Sequence, residues 1–76
     1  MSELRIDATG RLCPLPVIEL AKQIDRVAVG EALVLLADDP AAAVDVPAWC
    51  RMRGHDYVGE RAETDTVTAY VVRRAH

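Results

Sequence analysis

The stretch "ALVLLA", residues 32–37, is the longest apolar run in the chain, and it limits the fold more than any other feature. A membrane span needs roughly 20 apolar residues, so this run is instead the length of a strand. Leu and Val without polar alternation suit a strand interior to a sheet. Such a strand needs hydrogen-bonding neighbours on either side and a second layer to cover it. The 76 residues that must supply these form one domain, residues 1–76. A chain of this size buries about 60% of its unfolded surface, too little to expect a deep, enclosed active site.

The neighbours are legible on both sides of the run. In "ELRIDA", Leu4 and Ile6 alternate with Glu3, Arg5 and Asp7, the period of a half-buried strand. After a turn at Gly10, the apolar positions Val17, Leu20, Ala21, Ile24, Val27 and Ala28 recur at threes and fours. They predict an amphipathic helix of about four turns, ended by Gly30. Asp39 before Pro40 pairs an N-cap with a proline at the first helical position, so a second helix is expected up to Arg53 with a left-handed stop at Gly54. Pro47 interrupts it, predicting a short turn to Val44 and a fresh start capped by Asp45, with Ala42, Val46, Trp49 and Met52 or Arg53 on the buried stripe. "HDYVGERAE" and "TVTAYVVRR" read as a hairpin around "ETDT". The order βαβαββ gives an α+β fold, a two-layer α/β sandwich with a four-stranded mixed sheet and both helices on one face.

A formal charge of −3 disfavours direct nucleic-acid binding, which needs a basic patch. No apolar segment is long enough for a membrane, and "MSELRID" lacks the basic-then-apolar order of a secretory signal, so a cytoplasmic protein with reduced thiols is expected. A disulfide between Cys13 and Cys50 is the rival reading, although small stapled domains carry more cysteines than two. No ligand pair has zinc-like spacing, so no metal site is expected.

The chemistry points to "GRLCPLP", residues 10–16. With Pro14 as the first helical residue, Cys13 is the expected N-cap, at the positive end of a helix dipole worth about 0.3–1 kcal/mol to an anion. That favours the thiolate, the reactive form. Arg11, two residues earlier, adds positive charge nearby. Pro14 and Pro16 stiffen the first turn and remove two N–H donors, leaving those of Leu15 and Val17. No histidine or carboxylate is adjacent in sequence to serve as a base. An activated, exposed nucleophile in a domain too small to enclose a substrate suits a carrier that takes up a group and passes it on. The plain alternative is a buried cysteine at a helix start.

"DATGRLCPLPVIEL" resembles the Asp-x-x-Gly-x-x-Cys-Pro-x-Pro signature of the TusA (SirA-like) sulfur carrier family, and "VGEALVLLADDPAAAVDVPAWC" resembles its second half. The resemblance implies the same two-layer fold and a sulfane sulfur carried as a persulfide on Cys13, with no separate cofactor. It implies two partners: a donor such as a cysteine desulfurase or a rhodanese-like protein, and a downstream acceptor. It allows tRNA thiolation, cofactor biosynthesis or sulfur oxidation as the pathway. The matching positions are Asp7, Gly10, Cys13, Pro14 and Pro16, while Leu15 fills the variable position and offers an apolar docking contact.

Other residues carry paired readings. Asp7 is a turn residue or orients the loop bearing Gly10 and Cys13. Asp38 and Asp39 cap and turn, or dock a basic partner. Cys50 is a packed core thiol or a resolving cysteine, and His55 reads as a surface loop residue. Two other functions remain open: a thiol redox protein using Cys13 and Cys50, and a regulatory binding module indifferent to Cys13. A monomer is the simplest state for a carrier that visits two partners.

Overall fold

A computed structural model describes residues 4–12 and 14–76. The elements are β1 (Leu4–Asp7), α1 (Leu15–Gln23) with a 3-10 turn (Ile24–Arg26), β2 (Ala32–Ala37), α2 (Ala42–Arg53), β3 (Asp56–Ala62) and β4 (Thr68–Arg73). The sheet order is β1-β2-β4-β3. β1 runs parallel to β2, with Leu4 opposite Leu33 and Asp7 opposite Leu36, because α1 makes the crossover between them. The other two pairs are antiparallel, β2 with β4 from Ala32↔Arg73 to Ala37↔Thr68 and β4 with β3 through a hairpin that carries a bulge between Tyr57 and Gly59. "ALVLLA" is thus an interior strand of a mixed sheet.

Alternation along these strands sends Ile6, Leu33, Leu35, Tyr70 and Val72 into one core with Leu20 and Ile24 from the first helical segment and Ala42, Val46, Trp49 and Cys50 from α2. Both helices therefore cover the same face. On the opposite face Val34 and Ala69 are also fully buried. Arg5, set against Val34 by the register, reaches Glu63 at 2.8 Å and ties the hairpin turn back to β1.

Two helical expectations are corrected. The first helix is shorter than four turns: regular helix ends at Gln23, Val27 is extended (φ −101°, ψ 153°), and Gly30 (φ +92°) lies in the turn into β2. The backbone there is claimed by the C-terminal segment. Gly30 N–H donates to the Arg74 carbonyl at 2.7 Å, Arg74 N–H to the Glu31 carbonyl at 2.9 Å, and Arg74 Nη1 to the Val27 carbonyl at 2.8 Å. Ala28 is accordingly exposed, off the expected stripe.

The second correction is that α2 is one helix through Pro47, and Asp45 does not cap a fresh start. Asp39 Oδ1 accepts the Ala41 N–H at 3.0 Å, and bonds from Ala42, Ala43 and Val44 to the carbonyls of Asp39, Pro40 and Ala41 wind a tight first turn. Pro47 then deprives only the Ala43 carbonyl of its helical partner, and Ala43 lies on the exposed side of the helix rather than in the core. Burial of Ala42 and Val46 before the proline and of Trp49 and Cys50 after it holds the two halves in line. Met52 and Arg53 are exposed, and the buried stripe ends on Cys50.

Candidate functional site

The loop from β1 to α1 is anchored at several points before it reaches the helix. Ala8 N–H donates to the Leu36 carbonyl at 2.8 Å, continuing the parallel ladder past the end of β1. Asp7 Oδ1 accepts both the Thr9 hydroxyl at 2.6 Å and the Thr9 N–H at 3.0 Å. These two bonds, the hydroxyl's foremost, hold the Asp7 carboxyl below its usual pKa. Gly10 takes the left-handed conformation at φ +79°, and its N–H points at the carboxylate of Asp38, 3.0 Å from Oδ1 and 3.1 Å from Oδ2. Asp7 thus orients this loop through its turn, and Asp38 clamps it from the end of β2. Sequence reading offered Asp38 only cap, turn or docking duty, because a contact 28 residues away leaves no local signal. Asp39 is not the N-cap expected before Pro40: α2 takes Ala41 as its N-cap, two residues later, and Asp39 serves the turn ahead of it by accepting the Ala41 N–H.

Cys13 lies outside the described residues, and with it the expected place of its sulfur at the dipole. What flanks it is described. Leu15 N–H donates to the Leu12 carbonyl at 2.9 Å, closing a turn across the motif. The helix starts one residue later than expected, with Pro14 (φ −94°, ψ 16°) as N-cap in place of Cys13 and Leu15 as first helical residue. The Leu15 amide is therefore already committed and is not a spare anion donor. Pro16 is buried and pins the first turn to the core; Arg11 and Pro14 are exposed.

Several apolar side chains of this loop and of the two helices are exposed. Leu12 is 74% exposed and Met52 79%, with Leu15 and Ile18 also open to solvent. Beside them runs a shallow groove of about 280 Å³ lined by Pro14, Val17, Ala48, Trp49 and Met52, with Asp45 its acidic residue. Val29, Val44 and Val58 are exposed as well, so what sets the motif's side apart is the apolar groove beside Pro14.

Cys50 is a free, buried thiol. Desolvation, and secondarily the charge of Asp56, pushes its pKa up to about 11, so it stays protonated and packed at neutral pH. His55 is not a simple surface loop residue: its ring is half-buried and stacked between those of Trp49 and His76. No group of three or more potential ligands gathers for a metal ion among the described residues. No helix among them is long and apolar enough to cross a membrane.

Two likenesses accompany this geometry. The family model described as sulfurtransferase TusA matches residues 4–74. The crystal structure of a SirA-like protein from Desulfitobacterium hafniense aligns with 96% of this chain and 99% of its own, at a TM-score of 0.81 and 20% identity, a likeness of fold.

Proposed function

Since the chain belongs to the TusA family of sulfurtransferases, we propose that it is a sulfur carrier whose covalent site is Cys13. The observation that carries this reading is the family match over residues 4–74, which spans the whole Cys-Pro-x-Pro motif and the loop anchored by Asp7 and Asp38. In the proposed reaction the Cys13 thiolate attacks the terminal sulfur of a donor protein's persulfide. One S–S bond forms, another breaks, and the donor's cysteine leaves as thiolate. A downstream acceptor thiol then attacks the terminal sulfur on Cys13 and restores its thiol. Both steps are redox-neutral exchanges at sulfur and need no cofactor, the sulfur being cargo.

Such exchange depends on thiolate fraction and on access more than on an enclosed pocket. The exposed Leu12, Leu15, Ile18 and Met52 support access, offering apolar area to a donor such as a cysteine desulfurase or a rhodanese-like protein. The reading sets the relay among proteins, in the cytoplasm, with the carrier as a monomer free to meet donor and acceptor in turn. A redox pair of Cys13 with Cys50 finds no support in a core thiol shifted to about 11. The test is transfer. Protein charged with labelled sulfur by a cysteine desulfurase and freed of donor should lose its label to an acceptor thiol, whereas label that no acceptor removes would mark a dead-end modification and contradict a carrier.

A further inference from the structure

The last three residues fold back onto the domain in two different ways. Arg74 is built into the framework by its backbone bonds to Gly30 and Glu31, by the Val27 carbonyl and by Asp25 Oδ1, 3.6 Å from Nη2. Beyond it, Arg74 Nε–H donates to the His76 carbonyl at 2.9 Å, and the other holds on Ala75 and His76 are imidazole contacts. Ala75 N–H donates to His55 Nδ1 at 3.1 Å, and His76 Nε2 lies 2.8 Å from the Arg53 carbonyl at the end of α2. The His76 ring stacks on His55 with centroids 4.6 Å apart and planes 7° from parallel. His55 in turn stacks on Trp49, at 5.4 Å and 20°.

These partners determine where the protons sit. His55 Nδ1 receives an N–H, so it carries a lone pair and the proton of the neutral ring is on Nε2. A carbonyl only accepts, so His76 Nε2 carries its ring's proton. Protonating His55 replaces the lone pair with a donor aimed at the Ala75 N–H. It also sets a positive charge against His76, Arg53 of α2 and Arg74 of the tail, with Asp25, already paired with Arg74, as the acidic group facing them.

We propose that His55 and His76 form a pH-operated latch, which straps residues 75 and 76 over Trp49 and the end of α2 while His55 is neutral, and which opens when His55 takes up a proton. Burial first, and then His76, Arg74 and Arg53, hold the His55 pKa below its usual value, in keeping with this geometry. The sign follows from that depression. The strap is fully stabilised above the free imidazole's value of about 6.5 and loses stability as pH falls from there through the value of the latched ring. Opening removes His76 from the wall of a cavity of about 200 Å³ that Ala21, Ile24, Asp25 and Trp49 also line. Trp49 lines the groove beside Pro14 and Val17 as well, so the latch and that groove share one side chain as a wall.

The full chain, followed by NMR of the histidine ring nitrogens and of backbone order from about pH 8 to about pH 5, tests this. At the upper end His55 Nδ1 should be unprotonated and residues 75 and 76 ordered. Their order should be lost in the same window in which His55 titrates, below about 6.5, while the Arg74 amide stays protected. His55→Phe keeps a stacking ring but neither accepts nor titrates, and should loosen residue 75 at high pH and leave the order of residues 75 and 76, now held by Arg74 and by the Arg53 carbonyl, without a pH step. His76→Ala should move the His55 titration upward. A tail whose order ignores the His55 titration, a His55 that titrates at or above about 6.5, or a pH step that survives His55→Phe would each overturn the latch.

Discussion

Single side chains decide how the Cys-Pro-x-Pro loop is held, and each can be tested alone. Asp38 accepts the Gly10 amide with both oxygens, and a hydrogen bond to a charged group contributes about 1.5–3 kcal/mol, toward the low end for exposed partners such as these. Asp38→Ala should therefore raise the hydrogen-exchange rate of the Gly10 amide by about tenfold, the factor that about 1.4 kcal/mol sets, with little change in the exchange of β2 and β4. The depressed carboxyl of Asp7 predicts a different signature. Its turn is complete above the ordinary carboxylate value of 3.8 and is lost as pH falls below that through its own lower value. In Thr9→Ala the hydroxyl is gone, and a carboxyl NMR titration should find Asp7 moved back toward 3.8. Cys50→Ser puts a hydroxyl into the core in place of a buried thiol. It should cost about 1–3 kcal/mol in denaturant unfolding and leave sulfur uptake unchanged. At this scale the sequence made the motif and the turn at Asp7 legible but not the Asp38 anchor, since Asp38 meets Gly10 only after β1 and β2 have paired.

At the level of elements, burial periodicity was a better guide than capping rules. Leu20 and Ile24 fall on the core side as the threes and fours predict, and Ile18 falls outside it. Leu20→Ala should cost about 2–5 kcal/mol, against less than about 1 for Ile18→Ala, by equilibrium unfolding. The end of α2 was equally readable: Gly54 takes φ +76° and its N–H closes on the Cys50 carbonyl. Gly54→Ala should destabilise by about 1 kcal/mol, since its Cβ meets nothing closer than His76 Nε2 at 3.5 Å and the cost is one of backbone conformation. The misread boundaries share a cause. Local signals put Cys13 at the N-cap, carried the first helix to Gly30 and split α2 at Pro47, whereas the chain spends those backbone groups on the Leu12–Leu15 turn, on Arg74 and on the turn around Asp39.

For the molecule as a whole, one interior strand and the order of elements sufficed to infer the two-layer mixed sheet, because one apolar face on each element leaves few ways to pack both helices against a sheet in a chain this short. The return of the C-terminal segment and the imidazole stack were not legible. They join residues such as Trp49, His55 and His76 whose spacing has no period. The fold leaves Leu12 and Leu15 of the motif exposed and keeps Cys50 inside, a division that suits a carrier with one working sulfur. The most direct measurement is the intact mass of reduced protein after incubation with a cysteine desulfurase and cysteine, or with a thiosulfate-charged rhodanese, beside Cys13→Ser. The account predicts that the wild type gains one reducible sulfur atom and the variant none. Equal gain by Cys13→Ser, or no gain from either donor by a folded chain whose Cys13 still alkylates, would contradict it.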